Sequence, residues 1–255
     1  MRELLESVAD GEVSVAEAEA KLTGYATNGA GRFDAARETR RGVPEAVLCD
    51  GKTPSEVAEL SATAVETAGR ALVTRADEEH TEAVRRRLDA DHPDATVTIH
   101  DRANLLVAHG PEFEVPNIDA TVGVVSAGTS DAIPAGEAAV IAAEMGATIE
   151  ELHDVGVASI ARMLDEVDTL RAVDALVVAA GREGALPTVV AGLVNTPVIG
   201  LPVSNGYGHA SGGEAALSGM LQSCTVLSTV NIDAGFVAGA QAGLIARAVG
   251  GAREE

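Results

Sequence analysis

After residue 119 the chain alternates short apolar segments with helical segments, and no other feature of the sequence constrains the fold as strongly. The apolar segments predict five strands, at residues 121–127, 148–152, 174–180, 197–203 and 225–232. Helical segments separate these strands or follow the last one, at residues 131–145, 157–172, 185–194, 213–222 and 235–249. Parallel strands joined by helices form sheets that are covered on both faces. We therefore predict an α/β fold, a flavodoxin-like doubly wound parallel sheet, over residues 119–250.

The first 115 residues follow a different pattern, which predicts a small α+β domain at 1–115. Thr53 and Pro54 begin a helix that runs to about Ala68, because an N-cap threonine followed by proline is typical of a helix start. A charged helix is predicted at 77–90, and strands are predicted at 45–49, 71–75, 96–100 and 104–109. The segment from Gly110 to Pro116 interrupts these patterns and marks the domain boundary.

The charge balance excludes one class of partner. Lysine and arginine number 18 against 39 acidic residues, which gives a formal net charge of −21. Non-specific binding to nucleic acid needs a basic surface, so we expect no nucleic-acid partner. We also expect no membrane span and no signal peptide, because the chain lacks the apolar stretch that each requires. With only two distant cysteines, we expect a reduced, cytoplasmic protein whose acidity is typical of adaptation to high salt.

A glycine turn with hydroxyl side chains follows the first strand of the predicted sheet. Doubly wound sheets bind ligands beyond the carboxyl ends of their strands, so this turn lies where a ligand is expected. Gly128, Thr129, Ser130 and Asp131 lead directly into a helix. The pattern has two interpretations: the backbone amides bind a phosphate, or the side chains only cap the helix.

Two more segments lie at the same predicted edge of the sheet. Gly181 and Gly184 bracket Arg182 and Glu183 after the third strand. Glu183 either acts as a general base or forms a solvated pair with Arg182 in a tight turn. The long glycine-rich loop after the fourth strand contains Ser204 as a donor, and loops of this length are usually functional because ordering them is costly.

Two further patterns remain ambiguous from the residues alone. Arg37 and Arg40 share a helix face, where they either bind an anion or pair with Asp34 and Glu38. The thiol of Cys224 is read, without other information, as a small buried apolar group.

Several segments carry a resemblance to known families. The resemblance to the aminoimidazole ribonucleotide (AIR) carboxylase/mutase family, also called PurE, rests on GTSD (128–131), GREGALPTVVAGL (181–193) and PVIGLPV (197–203). The whole chain is more similar to the LarB family of nickel-pincer cofactor biosynthesis proteins, whose C-terminal domain is PurE-like. This second resemblance rests on DAARETRRGVPE (34–45), GKT (51–53), GYG (206–208), MLQSC (220–224) and VNIDAGF (230–236).

The resemblance to LarB implies a reaction. Members of that family carboxylate carbon 5 of the pyridinium ring of nicotinic acid adenine dinucleotide and hydrolyse its phosphoanhydride. The dinucleotide and CO2 or bicarbonate become pyridinium-3,5-biscarboxylic acid mononucleotide and AMP, the first step of nickel-pincer cofactor biosynthesis. Relatives of the fold form homo-octamers, which we expect here. Anhydride cleavage benefits from charge neutralisation, so we also expect Mg²⁺, with ligands that the sequence does not identify.

The resemblance also implies residue roles. Cys224 becomes the covalent nucleophile at the ring, which reverses its interpretation as a buried apolar group. Glu183 removes the proton of carbon 5 or orients the hydrolytic water, and Asp131 acts beside Ser130 at the ribose phosphate. The remaining substrate-binding residues are Gly128, Thr129, Arg162, Gly181, Gly184, Ala185, Ser204, Arg37, Arg40 and Lys52.

One position departs from both families. Ala161, directly before Arg162, stands where the purine enzymes have a catalytic histidine and where LarB-type proteins commonly have one too. Two alternatives therefore stay open: an AIR carboxylase/mutase of purine biosynthesis, and a non-catalytic nucleotide-binding protein on the same fold. Ala161, Cys224 and the long N-terminal domain count against the first. Replacement of Cys224 would abolish turnover in an enzyme but leave the affinity of a binding protein largely intact.

Overall fold

The computed structural model describes residues 2–11 and 13–254 of the chain. The chain divides into two compact units, Met1–Glu114 and Val115–Glu255. Among the described residues, no helix is both long enough and apolar enough to cross a membrane.

The N-terminal unit is a small α+β unit built on a mixed sheet. Its elements are α1 (Arg2–Ala9), α2 (Val15–Thr23), β1 (Ala26–Thr27), β2 (Arg32–Phe33), α3 (Arg37–Arg41), β3 (Val47–Leu48), α4 (Pro54–Ala68), β4 (Arg70–Thr74), α5 (Glu78–Asp91), β5 (Thr96–His100) and β6 (Leu105–His109). The four-stranded sheet has the order β3-β4-β6-β5. β3 is parallel to β4, whereas β6 is antiparallel to both of its neighbours. Each predicted strand and helix of this unit is present, with β3 shorter than expected.

Helix α4 begins as its sequence predicts. Thr53 and Glu56 form a capping box, in which the Glu56 carboxylate accepts from the Thr53 amide at 2.7 Å and the Glu56 amide donates to the Thr53 hydroxyl at 3.3 Å. Gly69 ends the helix in the left-handed conformation, with φ of 70°. One face of α4 is buried in the core of the unit, which includes Val57 and Ala64.

The C-terminal unit is a doubly wound parallel sheet, which confirms the predicted fold class. Its elements are β7 (Thr121–Ser126), α6 (Ala132–Glu144), β8 (Thr148–Leu152), α7 (Ile160–Asp165), α8 (Val167–Ala172), β9 (Ala175–Ala180), α9 (Ala185–Ala191), β10 (Val198–Pro202), α10 (Glu214–Leu221), β11 (Ser228–Thr229) and α11 (Gly235–Glu254). The strand order is β8-β7-β9-β10-β11, and every neighbouring pair is parallel. This is the flavodoxin-like order, with the switch point between β7 and β9.

Two elements differ from their predicted bounds. The single helix predicted at 157–172 is two helices, α7 and α8, which meet at Glu166 with φ of −100° and ψ of 5°. The strand predicted at 225–232 is only the two-residue β11, paired with Ile199 and Gly200 of β10.

The central strand β9 divides the core of this unit into two layers. Alternate side chains of a strand point to opposite faces of the sheet. Ala175, Val177 and Ala179 pack in the layer with α6 and α11, whereas Leu176 and Val178 pack in the layer with α8 to α10. All of these side chains are fully buried.

The small residues of α11 pack against α6 within the C-terminal unit. A Cβ atom on Gly239 would lie 2.4 Å from the carbonyl oxygen of Ala138 in α6, and one on Gly243 would lie 2.7 Å from the side chain of Met145. These glycines therefore allow α11 to approach α6 closely within one chain.

Candidate active site at the switch point of the sheet

A cavity of about 520 Å³ opens at the carboxyl edge of the parallel sheet. Its walls come from the segments that follow β7, β8, β9 and β10, at residues 127–131, 154–158, 180–186 and 205–207. This is the switch point, where ligands bind in doubly wound sheets. The cavity therefore lies where the sequence predicts chemistry.

Asp131 joins the segments that follow β7 and β9. The residue is only 4% exposed, and its carboxylate accepts a hydrogen bond from the backbone amide of Gly128 at 2.9 Å and another from the amide of Gly181. Burial raises the pKa of this carboxyl above its usual range, although the two amides and the nearby charge of Arg182 oppose that effect. Asp131 therefore holds both segments in place while facing the cavity.

Gly181 must be glycine because the loop after β10 passes very close to it. A Cβ atom at this position would lie 2.4 Å from the carbonyl oxygen of Asn205. That oxygen accepts a hydrogen bond from the backbone amide of Arg182 at 3.1 Å, and the Asn205 side chain donates to the carbonyl of Ser130. The loop after β10 is therefore fastened to the walls that follow β7 and β9.

Arg182 is the residue of this site that sequence reasoning did not select. Its φ of 49° lies in the left-handed region, a strained conformation that is concentrated at functional sites. The guanidinium carbon lies 4.8 Å from the centroid of the Tyr207 ring, and hydrogen bonding from Arg182 lowers the pKa of that phenol. Of the described residues that line the cavity, Arg182 is the only arginine or lysine.

The structure brings half of the predicted site residues together. Those that line the cavity are Gly128, Thr129, Ser130, Asp131, Gly181, Glu183 and Ala185. Gly184 is buried behind the wall against Ala216, with φ of 64°. Ser204 is exposed, and its amide donates to Asp233 at 2.9 Å. Arg162 pairs with Asp154, which lines the cavity, although Arg162 itself does not.

The predicted cations of the N-terminal unit all have local partners. Arg37 pairs with Glu45, and Arg40 pairs with Asp34. The Lys52 ammonium donates to the carbonyl of Leu48 at 2.7 Å. Ion pairing, the alternative to an anion site, thus accounts for both arginines, but the partner of Arg37 is Glu45 and not the expected Glu38, which pairs with Arg70. Their binding of substrate stays a prediction.

The two cysteines have opposite environments. Cys49 is 2% exposed, and burial raises the pKa of its thiol to about 12, with the charge of Asp77 adding to the effect. Cys224 is exposed and does not line the cavity. The hydroxyl of the next residue, Thr225, donates to the carbonyl of Thr188 in α9 at 3.5 Å. Only Cys224 is accessible as a nucleophile in one chain.

The described residues of the site do not form a ready-made set of ligands for a magnesium ion. Within residues 2–11 and 13–254, no three histidine, cysteine or acidic side chains form a group that could hold a metal. Asp131 already accepts two backbone hydrogen bonds, and Asp154 pairs with Arg162. Since Mg²⁺ is usually bound through one or two carboxylates plus substrate phosphates, the predicted ion would depend on the substrate.

The sheet order and the polar cavity at its switch point are those of doubly wound α/β proteins that bind small ligands. Comparison with known proteins narrows this class. Residues 25–109 match the family model for the LarB/PurE-like N-terminal domain, and residues 121–255 match the model for AIR carboxylase. The uncharacterized protein MJ0165 of Methanocaldococcus jannaschii is 37% identical to this chain, in an alignment that covers 97% of each chain. The chain belongs to the AIR carboxylase family and has the domain architecture of LarB, and it is a carboxylase.

Proposed function

We propose that the protein carboxylates carbon 5 of the pyridinium ring of nicotinic acid adenine dinucleotide, with CO2 or bicarbonate as donor, and hydrolyses the phosphoanhydride. The products are pyridinium-3,5-biscarboxylic acid mononucleotide and AMP. The domain order carries this proposal, because a LarB/PurE-like N-terminal domain precedes the carboxylase domain. The cavity supports it, since Ser130, Asp131 and Glu183 line one space at the switch point.

The carboxylation needs a nucleophile because a pyridinium ring is electron-poor and does not attack CO2. In the proposed mechanism, the thiolate of Cys224 adds to carbon 4, and carbon 5 becomes the β-carbon of an enamine. Carbon 5 then forms a bond to CO2, and Glu183 accepts the proton that carbon 5 loses. Expulsion of the thiolate restores the aromatic ring. The net change replaces a ring proton with a carboxylate.

The segment 128–131 binds the ribose phosphate in this proposal. Thr129 and Ser130 are exposed at the cavity, so their hydroxyls and amides are accessible to a phosphate. The buried carboxylate of Asp131 fixes the conformation of this turn by accepting a hydrogen bond from the amide of Gly128. Glu183 faces the same cavity from the next wall, where it can reach the ring held by that phosphate.

Cys224 reaches the ring, in this proposal, from a second copy of the chain. Within one chain the thiol does not line the cavity, so we assign it to the cavity of a neighbouring copy. Leu221 and Val226, on either side of Cys224, are 67% and 96% exposed. Such apolar exposure is typical of a surface that another protein covers. We therefore propose a homo-oligomer, an octamer as in relatives of the fold, in which each thiol completes a neighbour's cavity.

Mixed oligomers test the shared site. Cys224→Ala and Asp131→Asn are each expected to lose most of the activity, because one lacks the thiol and the other has a disturbed cavity. Oligomers reassembled from both variants should regain activity, since some cavities then combine an intact Asp131 with an intact Cys224 from a neighbour. Mixed oligomers of verified composition that stay inactive would contradict the shared site.

Isotope incorporation tests the reaction itself. Purified protein, nicotinic acid adenine dinucleotide, Mg²⁺ and ¹³C-bicarbonate are incubated at high salt, which suits a chain of net charge −21, and the products are analysed by mass spectrometry. We expect a labelled dicarboxylated mononucleotide and an equal amount of AMP. Cys224→Ala should form neither, whereas the matched variant Cys49→Ala should form both. Formation of labelled product by Cys224→Ala would contradict the proposed covalent mechanism.

The second candidate is the AIR carboxylase/mutase reaction of purine biosynthesis, which the family match of residues 121–255 favours. Ala161 counts against it, since this side chain cannot carry a proton as the expected histidine does. The residue is exposed on α7 and does not line the cavity. Turnover of AIR that persists in Cys224→Ala would support this candidate.

A further inference from the structure

We propose that strand β5 of the N-terminal unit is an interface between two copies of the chain, in which the β5 strands pair antiparallel and join two four-stranded sheets into one. β5 is an outer strand, because it pairs with β6 on one side and with no other strand among the described residues. Its residues Thr96, Thr98 and Ile99 are exposed. This inference concerns the assembly of the protein and does not depend on the proposed reaction.

The edge that β5 forms lacks the usual protection against pairing. Proteins block exposed sheet edges by keeping the outer strand short or by placing charged side chains or proline on it. In the two larger sheets, the outer strands β3 and β11 are only two residues long, and β8 carries exposed Glu150 and Glu151. β5 has five residues, TVTIH, without lysine, arginine, acidic residues or proline. Among the described outer strands of these sheets, β5 is therefore the one open to a partner strand.

The outer side of β5 presents backbone groups for a ladder of hydrogen bonds. Successive residues of a strand turn their N–H and C=O groups alternately to the two sides. The amide of Gly110, directly after β6, donates to the carbonyl of Gly69, directly before β4, at 2.8 Å. Val107, three residues before Gly110, therefore turns the other way and faces its register partner Thr98 in β5. The residues on either side of Thr98 accordingly turn their N–H and C=O groups outward.

A two-fold axis at Thr98 makes β5 complementary to itself. In antiparallel pairing about this residue, Val97 of each copy lies opposite Ile99 of the other, so their outward groups form a hydrogen-bonded pair on each side of the axis. These two apolar side chains lie on the face of the sheet that packs against α4 and α5. On the opposite face, Thr96 lies opposite His100 and the two Thr98 side chains meet at the axis. Apolar side chains thus meet apolar ones, and polar side chains meet polar ones.

The charges that flank β5 favour the same register. Continued beyond the strand, the register brings Asp94 of each copy towards Arg102 of the other. Both side chains are exposed, and neither forms a salt bridge within the described part of the chain. By contrast, Arg86 and Arg87 of the preceding helix α5 each pair with a carboxylate four residues away. Asp101, the other charged residue of this stretch, lies opposite an alanine, so the register opposes no like charges.

A second copy of the chain is the partner that these features select. The backbone ladder, the side-chain faces and the flanking charges all match when β5 meets its own sequence in reverse, and a foreign strand would need the same pattern to match as well. Pairing at β5 joins copies two at a time, which is compatible with an oligomer of even number such as the proposed octamer.

Disulfide formation at the two-fold axis tests the interface. Thr98→Cys is made in the full-length Cys224→Ala protein, whose remaining native thiol, Cys49, is 2% exposed. The Cα atoms of such a non-hydrogen-bonded pair lie about 4.5 Å apart, within the range of a disulfide. Mild oxidation should therefore convert most of this variant to a covalent dimer on a non-reducing gel. Thr96→Cys is the matched control, because Thr96 is exposed on the same strand but lies about 14 Å along the strand from its own copy in this register, so it should stay monomeric on the gel.

A proline variant separates strand pairing from chance contact. Val97→Pro, added to the Thr98→Cys protein, removes an outward N–H and leaves the ladder with β6 intact, so the covalent dimer should be lost. Circular dichroism verifies that this variant keeps its fold. A dimer of Thr98→Cys alone, lost in Val97→Pro, would support the interface. Equal cross-linking of Thr96→Cys and Thr98→Cys, no dimer of Thr98→Cys, or a dimer that persists in the folded Val97→Pro variant would each overturn it, whatever substrate the protein turns over.

Discussion

The carboxylate of Asp131 accepts a hydrogen bond from the backbone amide of Gly128 at 2.9 Å, and this pair shapes the turn between β7 and α6. The other partner of the carboxylate is the amide of Gly181, at the end of β9. One buried side chain thus sets the spacing of two walls of the cavity, at the switch point where the strand order reverses.

Replacement of Asp131 by asparagine should therefore impair the reaction. The side-chain amide would present N–H groups to one of the two backbone donors, so one wall would move. We expect kcat/KM to fall about 10²-fold, the scale of an ångström-sized displacement of reacting groups. Asp154→Asn is the matched control, because Asp154 lines the same cavity, is exposed, and has a φ of 59° that asparagine tolerates. Equal losses in both variants would contradict the positioning effect of Asp131.

The two thiols should differ sharply in alkylation. Burial raises the pKa of Cys49 to about 12, so almost no thiolate is present there at neutral pH, and its 2% exposure blocks the reagent. Iodoacetamide at pH 8 should label Cys224 first and Cys49 only after unfolding, as read by peptide mass spectrometry. Nicotinic acid adenine dinucleotide should slow labelling of Cys224. Labelling that is unaffected by the dinucleotide would argue against a place for this thiol beside the ring.

The glycines of α11 should not be interchangeable. Gly239→Val should lower the free energy of unfolding by about 3 kcal/mol, because even its Cβ atom would lie 2.4 Å from the carbonyl oxygen of Ala138. Gly251→Ala, in the same helix, should raise it by up to about 1 kcal/mol, since nothing lies within 4 Å of the added atom and alanine favours a helix. Urea denaturation measures both, and similar effects at the two positions would contradict the close packing of α11 on α6.

The ion pair between Asp174 and Arg253 should make stability depend on pH. Burial tends to raise the pKa of Asp174, but hydrogen bonds from Arg253 at 2.7 and 3.0 Å and from the Thr121 amide outweigh it and hold the pKa below its usual value. Because the pKa in the folded state lies below that in the unfolded state, the stabilisation is complete above the unfolded value of about 3.9. It is lost as the pH falls through the folded-state pKa.

Asp174→Asn should accordingly be less stable than the wild type at neutral pH. We expect a difference of about 1 kcal/mol, limited by solvent because the Arg253 side chain is 44% exposed. Urea denaturation of both proteins at neutral pH and again near pH 3 measures how the difference changes. The difference should shrink on acidification, and a difference that stays constant or grows would contradict this assignment.

Most of the order of elements could be predicted from the sequence because the hydrophobic pattern of most elements was strong, although that of residues 148–152, which form β8, was weak. Residues 96–100 were expected as a strand and form β5, and Thr53 with Pro54 marks the start of α4. The hairpin of β1 and β2 was not predicted, although Asn28-Gly29 between them is a recognised turn signal. The break between α7 and α8 falls at Glu166, where no proline or glycine signals the end of a helix.

Part of the site could be predicted from the sequence, because some of its residues lie directly after a strand. The turn at 128–131 and Glu183 follow strands directly, so the fold class alone places them at the cavity. Which arginine lacks a carboxylate partner cannot be predicted so simply. Arg37 and Arg162 each find a carboxylate eight residues away, whereas Arg182 is followed directly by Glu183, whose side chain does not form a salt bridge with it.

The choice between two substrates tests the central claim most directly. The protein is given nicotinic acid adenine dinucleotide and AIR together, with Mg²⁺ and ¹³C-bicarbonate, and the label is followed by mass spectrometry. We predict that ¹³C enters only the pyridinium mononucleotide, with one AMP released for each label, and that Cys224→Ala abolishes both signals. Label in carboxylated AIR, with the pyridinium ring unlabelled, would contradict the account.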